Sequence, residues 1–220
     1  MRKLHRFVIA AAVTTALAPI ALPSTAMAQG AVSQTGLYAG LGAGLDSMPD
    51  RSLDINGFHV TSKWKSGWGV LAAVGYKWDF GLRTEIEYSY REAHVRAFNT
   101  NPWSGTQWDN SLFANALYDF NLGAGFMPFI GGGIGGAHIS WGDNFRAASP
   151  VIYDASGNKF GWQGIIGLGY AISPRFTVTL DGRIKGSSGY SFHGSAPGTL
   201  IKNFDYITHS LFLGFRYALD

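Results

Sequence analysis

Cysteine is absent from the 220 residues, so the chain has neither disulfides nor thiolate metal ligands. No run of ~18 apolar residues follows the N-terminal segment, and this lack excludes helical membrane spans. Apolar residues also do not recur at three-and-four spacing over any long window, so amphipathic helices are not predicted. Glycine, with 30 residues, and aromatic side chains, at 15%, are abundant instead. This pattern favours a chain that is β throughout.

The first 28 residues have the features of a secretory signal peptide. Basic residues open the segment, an apolar run extends from Phe7 to about Leu22, and Ala26-Met27-Ala28 supplies small residues for cleavage. Pro19 and Pro23 interrupt the run, which is shorter than the ~20 residues that a membrane anchor needs. We therefore predict a cleaved signal peptide over 1–28 and one domain over 29–220.

The net charge of the chain carries little information about partners. The three basic residues of the signal segment account for the whole formal excess of +3, so the mature chain is close to neutral. No cluster of Lys and Arg interleaved with aromatic residues is present, and nucleic-acid binding is not predicted.

The segment from Leu82 to Arg91 alternates strictly between apolar or aromatic side chains and polar or charged ones. An extended strand directs successive side chains to opposite faces, so Arg83, Glu85, Glu87 and Arg91 share one face. A charge that faces lipid costs about 2–4 kcal/mol at the bilayer midplane. In an exported chain, the apolar side of this strand is predicted to face lipid. Its charged side is predicted to face an interior that it shares with other strands.

Seven further segments resemble this strand, although glycine leaves the facing of the fifth ambiguous. Short turns at 79–81, 121–125 and 173–175 alternate with long polar connections at about 46–65, 92–106, 142–158 and 186–205. Bacterial outer-membrane barrels show this asymmetry, with short periplasmic turns and long outer loops. We predict an all-β, eight-stranded antiparallel up-and-down transmembrane β-barrel, with both termini periplasmic and four long loops extracellular. The eight strands are expected at about 35–45, 66–78, 82–91, 107–120, 126–141, 160–172, 176–185 and 207–219.

Aromatic side chains collect at the two ends of the predicted strands, where they would form girdles at the headgroup level. Those near the short turns are Trp78, Tyr118, Phe120, Tyr170, Phe176 and Tyr217, and those near the long loops are Trp68, Tyr90, Trp108, Trp141 and Trp162.

The end of the last strand, Gly214-Phe215-Arg216-Tyr217-Ala218-Leu219, resembles the C-terminal signal that assembly machinery reads in such barrels, with Gly214, Tyr217 and Leu219 as its marker residues. The signal peptide, the eight strands, the glycine-rich first strand and the closing Leu211-Phe212-Leu213-Gly214-Phe215-Arg216-Tyr217 together resemble the OmpA-like, opacity-type outer-membrane β-barrel family of Gram-negative bacteria. The resemblance implies a monomeric porin-family barrel in contact with lipopolysaccharide, with a structural or surface role. No segment follows the eighth strand, so the peptidoglycan-binding domain of longer relatives is not expected.

The side chains predicted to face the interior comprise five cations and four anions. An eight-stranded barrel is only wide enough inside for its own side chains, and buried charges persist when they are paired. We therefore predict an interior plugged by paired charges and little steady conductance, with a narrow gated pore as the alternative. The nine residues are Arg83, Glu85, Glu87, Arg91, Asp119, Asp181, Arg183, Lys185 and Arg216.

Three patterns suggest other chemistry, and each has a simpler interpretation. Gly131 to Gly136 matches a dinucleotide fingerprint in spacing, but a strand-like segment follows where that motif needs a helix. His59, His94 and His193 lie on separate loops and lack the spacing of a known metal or haem ligand set, so no metal or cofactor is predicted.

The third pattern is a candidate Ser–His–acid set. His193-Gly194-Ser195 with Asp205 is the arrangement that a lipid A-modifying barrel enzyme would need. The pair falls in a Gly/Ser/Pro-rich loop, so we predict that the protein is not an enzyme. Loops carry binding functions on many scaffolds, and the outer loops are predicted to bind a surface ligand whose identity the sequence leaves open.

Overall fold

The computed structural model describes residues 35–55, 58–64, 66–98, 101–145, 155–193 and 200–219. The predicted signal peptide lies outside these residues. The described residues form ten β-strands, and they include no helix that is long and apolar enough to cross a membrane. The strands are β1 (Gly36–Ser47), β2 (Arg51–Ile55), β3 (Phe58–Trp64), β4 (Gly67–Lys77), β5 (Leu82–Phe98), β6 (Asn101–Asp119), β7 (Phe126–Phe145), β8 (Ala155–Ala171), β9 (Phe176–His193) and β10 (Leu200–Ala218).

Eight of these strands close into an antiparallel barrel. β4 to β10 pair in chain order, and β1 pairs with both β4 and β10. Each barrel strand therefore has a neighbour on both sides, which satisfies the backbone groups that lipid cannot hydrogen-bond. The predicted eight-stranded all-β barrel is confirmed.

Side chains alternate between the two faces of the wall as the sequence indicates. Along β4, the even-numbered outward residues are mostly exposed, whereas the glycines at the inward positions Gly69 and Gly75 are buried. Along β5, Ile86 and Tyr88 are exposed while Glu87 is 1% exposed. The charged face of this strand lies inside the barrel because the apolar face lies outside.

The three predicted short turns are confirmed, and glycine makes two of them possible. Gly81 has φ +93°, and its amide donates to the carbonyl oxygen of Trp78 at 3.2 Å. Gly125 has φ +83° in the second turn. Residues with a Cβ rarely adopt positive φ, so the two glycines allow the chain to reverse within a few residues.

The glycine-rich strand β7 has a definite facing, which the sequence left ambiguous. Met127, Phe129 and Ile139 point inward and are buried, whereas Ile130 and Ile134 are exposed outside. The glycines of the fingerprint segment lie within this strand, with more strand after them. A Cβ at Gly131 or Gly135 would clash with carbonyl oxygens of β6, so these glycines allow β6 and β7 to approach closely.

The prediction of four long polar loops is wrong for most of their length. β5 continues to Phe98, and β6 begins at Asn101. The third outer connection is shortened in the same way by the ends of β7 and β8, and the fourth by the ends of β9 and β10. The first connection contains the hairpin of β2 and β3, which pair with β10 and β5 beyond the ends of β1 and β4. Polar composition did not end the strands, because ladder hydrogen bonds form regardless of side-chain polarity.

Candidate functional site: the charged barrel interior

All nine charged residues predicted for the interior lie on the inner face and are buried. Three further buried charges, Asp46, Lys77 and Asp109, join them. The buried charges of the described side chains therefore number six cations and six carboxylates, and their formal charges sum to zero. The alternation of inward and outward positions along a strand also predicts these three residues, because each follows an outward apolar or aromatic residue in its strand.

A first group of charges, at the short-turn end, surrounds the carboxylate of Asp119. Arg83 Nε donates to Oδ1 at 2.8 Å, and Arg216 Nη1 donates to Oδ2 at 3.2 Å. Lys77 Nζ lies 3.7 Å from Oδ2. Three strands thus contribute cations to one acceptor at this end of the barrel.

Glu85 connects this group to the next one. Its Oε2 accepts from Tyr38 OH at 2.5 Å and from Arg83 Nη1 at 3.3 Å. Its Oε1 accepts from Asn115 Nδ2 at 3.0 Å. Hydrogen bonds to charged groups are strong, and Glu85 accepts from Nη1 of Arg83 while Asp119 accepts from its Nε.

A second group lies at mid-height around Arg183. Its Nη1 lies 2.5 Å from Glu87 Oε2, and its Nε lies 2.5 Å from Asp181 Oδ2. Neutral amides complete the coordination of Glu87, because Asn115 Nδ2 and Gln163 Nε2 donate to it at 3.2 and 3.3 Å. The guanidinium is therefore clamped between two carboxylates.

A third group, towards the far end, centres on Asp109. Lys185 Nζ lies 2.5 Å from Oδ2 and also donates to Ser111, while Tyr206 OH donates to Oδ2 at 2.9 Å. Arg91 Nη1 lies 3.9 Å from Asp109 Oδ2, and Arg91 Nε lies 3.5 Å from Asp46 Oδ1. This group includes two of the charges that the sequence prediction omitted.

Aromatic rings separate and cover the three groups. The Phe212 ring is fully buried and lies between Arg91 and Arg183, whose guanidinium carbons are 5.5 and 5.3 Å from its centroid. Phe129 similarly faces Arg83 at 5.0 Å. Cations over aromatic faces are stabilised further when desolvated, so the rings both fill the lumen and bind its charges.

A small cavity lies between some of these described side chains. A cavity of about 40 Å³ lies against the wall of β1 and β10, where Gly40, Gly42 and Gly214 face inward. Arg216 Nε and Nη2 have no hydrogen-bond partner among the described residues, although both are buried. A cavity of this size holds only a few water molecules, on the basis of ~10–15 Å³ for each.

The predicted girdle residues whose side chains are described lie on the outer face. Tyr90, Trp108, Tyr170 and Phe176 are half-buried there, and the side chain of Trp141 lies outside the described residues. Ring pairs mark the short-turn end, such as Tyr118 and Phe120 with centroids 4.9 Å apart. The exposed members are Trp68, Trp78, Tyr118, Phe120, Trp162 and Tyr217.

The predicted assembly-signal residues end the barrel wall. Tyr217 and Leu219 are 43% and 55% exposed on its outer face. Gly214 points inward, and a Cβ there would lie 2.7 Å from the carbonyl oxygen of Leu41. Their role in assembly stays a prediction.

The residues considered for metal binding or catalysis are not brought together in the described structure. Ser195 and the side chains of His59, His193 and Asp205 lie outside it. His94 Nδ1 lies 3.2 Å from Thr106 Oγ1 on the outer face. Among the residues described, no group of three His, Cys, Asp or Glu could hold a metal ion.

A closed antiparallel barrel with an apolar exterior and a charged interior is the architecture of the class of outer-membrane β-barrels. The sequence agrees, because residues 12–217 match the family described as outer membrane protein beta-barrel domain. The chain belongs to this family, and it is therefore a protein of the outer membrane.

Solved structures share the fold at low sequence identity. Neisserial surface protein A (NspA) has a TM-score of 0.51 and 14% identity, over 84% of this chain and 98% of that one. OprG from Pseudomonas aeruginosa has a TM-score of 0.54 and 16% identity, over 86% and 99%. A major outer membrane protein from Thermus thermophilus has a TM-score of 0.52 and 12% identity, over 82% and 98%. No curated protein matches the sequence.

Proposed function

We propose that the protein is a monomeric outer-membrane barrel with a structural or surface-interaction role, whose interior is plugged by paired charges. The observation that carries this proposal is the balance of six buried cations and six buried carboxylates among the described residues. Each cation lies within 4.0 Å of a carboxylate oxygen. Separating such pairs leaves uncompensated buried charges, which typically costs about 3–5 kcal/mol.

The proposal includes an orientation and a set of partners. The short turns and both termini would face the periplasm, and the four strand-extended connections would face outward with lipopolysaccharide around them. The signal peptide over 1–28 would direct export, and the end of β10 would be read by the barrel-assembly machinery. The outer connections are the place for a surface ligand, because they project from a rigid wall. We propose no enzymatic activity for the loop residues His193, Ser195 and Asp205.

A narrow gated pore is the second candidate, and one feature favours it. Arg183 contacts both Glu87 and Asp181, so the guanidinium has two acceptors between which its contacts can shift. The cavity beside it supplies some free space. Opening would nevertheless require Phe212 to move, because this fully buried ring lies between two guanidinium groups.

Single-channel conductance in planar bilayers tests these two candidates. Purified, refolded protein is compared with the interior variants Arg83→Ala and Glu85→Ala and with the outward control Ile86→Ala, which changes only the lipid-facing surface. We expect no steady conductance from any form, because Phe212 and the groups around Arg183 and Asp109 still close the lumen. Reproducible openings that change with Arg83 or Glu85 but not with Ile86 would support the gated pore instead.

A further inference from the structure

Three polar side chains on the outer face of β7 and β8 form a hydrogen-bonded chain. Ser140 Oγ lies 3.0 Å from His138 Nε2, and His138 Nδ1 lies 2.6 Å from Asn158 Oδ1. In nucleophilic catalysis a hydroxyl and a base lie within about 2.6–3.2 Å of each other, and a third group orients the base. The three side chains have this arrangement.

The two hydrogen bonds determine the tautomer of His138. An amide oxygen only accepts, so Nδ1 carries the ring proton and donates it to Asn158 Oδ1. In the neutral ring, Nε2 then has no proton and accepts from the hydroxyl of Ser140. This is the tautomer that a general base needs in order to take the hydroxyl proton.

The alternation of side chains along β7 and its register with β8 bring the three residues together. His138 and Ser140 are two positions apart, so both face outward, while Ile139 between them is fully buried inside the barrel. Asn158 lies directly opposite His138 on β8. The pattern His-x-Ser in a strand indicates the pair from sequence, whereas the asparagine is recognised only from the strand register.

The set lies where the apolar outer face of the barrel ends. Counted from the short turns, His138 on β7 and Asn158 on β8 are the first outward side chains that are neither apolar nor aromatic. The ester groups of membrane lipids lie between the acyl chains and the headgroups, at the edge of the hydrocarbon core. A nucleophile at this level of the wall therefore meets lipid esters.

A gap in the outer surface leads from the apolar face to this set. Gly136 faces outward, and no heavy atom lies within 4 Å of a Cβ position there. Its cross-strand neighbours, Leu112 on β6 and Phe160 on β8, are 57% and 67% exposed. Two strand spacings separate these neighbours by roughly 10 Å. A groove with a glycine floor and apolar sides fits an extended acyl chain.

A fourth polar residue borders the set on the side of β6. Asn110 lies directly opposite His138, and its Oδ1 accepts from Tyr88 OH at 2.7 Å. This hydrogen bond fixes the amide oxygen, so the Nδ2 group is the end of Asn110 that offers hydrogen bonds. Ester hydrolysis needs donors for the negative charge that develops on the carbonyl oxygen, and Asn110 supplies one beside the imidazole.

We propose that Ser140 and His138 are the catalytic residues, and Asn158 the positioning residue, of a hydrolase for acyl esters of membrane lipids. This activity goes beyond the structural role proposed above, and the leaflet in which it acts follows from the orientation proposed there. The substrate class is the fatty acyl ester, which phospholipids and lipopolysaccharide both contain.

The reaction is a two-step acyl transfer to water. Ser140 Oγ attacks the ester carbonyl carbon while His138 Nε2 takes the hydroxyl proton. The bond between the carbonyl carbon and the alkoxy oxygen then breaks, and His138 returns the proton to the departing alkoxide. In the second step, water gives a proton to His138 and attacks the acyl-serine, which releases the fatty acid and restores Ser140.

A fluorophosphonate probe tests the nucleophile without a lipid substrate, because it bonds to an activated serine oxygen with loss of fluoride. The refolded protein is compared with Ser140→Ala and with the matched control Ser195→Ala, which removes the same hydroxyl from a loop. Heat-dependent gel migration checks that each variant is folded. We expect peptide mass spectrometry to find the label on Ser140 in the parent and in Ser195→Ala, and none in Ser140→Ala. A label on Ser195 instead, or no label on any form, would overturn the proposal.

Release of fatty acid from lipid in mixed detergent micelles tests the reaction, with phosphatidylethanolamine in one arm and lipopolysaccharide in the other. We expect Ser140→Ala and His138→Ala each to lower the rate at least about 100-fold. His94→Ala is the control, because His94 faces outward at the same end but lies 3.6 Å from its carboxylate neighbour Glu92, and it should leave the rate unchanged. The arm that releases fatty acid identifies the lipid. No release in either arm, or equal release by the parent and Ser140→Ala, would contradict the proposal.

Two variants of Asn158 separate its positioning role from a purely structural one. Asn158→Ala should approach the loss seen with His138→Ala, because the imidazole loses its acceptor. Asn158→Asp should retain the activity, since a carboxylate oxygen accepts from Nδ1 equally well. Equal loss in both variants would show that Asn158 does not act through His138. Micelles expose both ends of the barrel, so none of these outcomes depends on its orientation or on whether the lumen conducts.

Discussion

At the scale of single residues, Asp119 has the largest number of charged partners in the described interior. Arg83 and Arg216 donate to its two oxygens, and Lys77 lies 3.7 Å away. These cations come from β4, β5 and β10, so the carboxylate joins strands that are distant in the wall. Its negative charge is the main compensation for three positive charges at this end of the lumen.

The substitution Asp119→Asn keeps the volume of the side chain and removes its charge. We expect it to lower the free energy of unfolding by about 3–5 kcal/mol, because it leaves buried cations without their acceptor. Urea titration of the protein in vesicles, followed by tryptophan fluorescence, measures this change. Asp79→Asn is the matched control, since Asp79 is exposed in a turn and such changes stay within about 0.5 kcal/mol. Equal midpoints for the two variants would show that Asp119 does not hold the group together.

At the scale of elements, the pairing of β6 and β7 depends on glycines on one side of β7. Gly131 and Gly135 face inward where the β6 backbone is so close that a Cβ would clash with it. Gly136, the next residue, faces outward with no heavy atom within 4 Å of a Cβ position. Adjacent glycines in one strand therefore have different structural requirements.

The pair Gly135→Ala and Gly136→Ala tests this difference with the same chemical change. We expect Gly135→Ala to destabilise the barrel by about 1–3 kcal/mol, as overpacking does, because β6 and β7 must separate. Gly136→Ala should stay within about 0.5 kcal/mol of the parent protein. Refolding yield and urea midpoint report both effects. Similar values for the two variants would mean that the strands tolerate a wider spacing.

At the scale of the whole molecule, closure of the wall is the main source of order. Each of the eight barrel strands is hydrogen-bonded on both sides, and the hairpin of β2 and β3 completes the wall between β10 and β5. A closed barrel has no edge from which unfolding or strand exchange can begin. Local loss of one strand therefore breaks two ladders at once.

We expect the refolded protein to migrate differently in detergent gels before and after boiling, because the closed ladder resists unfolding by detergent until it is heated. A urea-denatured sample that has not been refolded provides the control and should migrate as the boiled form does. Identical migration of refolded and boiled samples would contradict a closed barrel in solution.

The sequence by itself determined the eight strands, the three short turns and which charged residues of the strands face inward. These features follow from the alternation of side chains between the two faces of a strand, and a short segment of sequence is enough to reveal that alternation. The same alternation predicts Lys77 and Asp109 as inward residues of the predicted strands 66–78 and 107–120, and Asp46 one residue beyond the first predicted strand.

Only the tertiary structure decided which charges meet and how the wall is completed. Arg83 and Asp119 are 36 residues apart, and Lys185 and Asp109 are 76 residues apart. Their contact depends on the stagger between strands around the closed barrel, which no local pattern encodes. The facing of the glycine-rich β7 and the insertion of the β2–β3 hairpin were decided in the same way, because both depend on the strands that lie alongside.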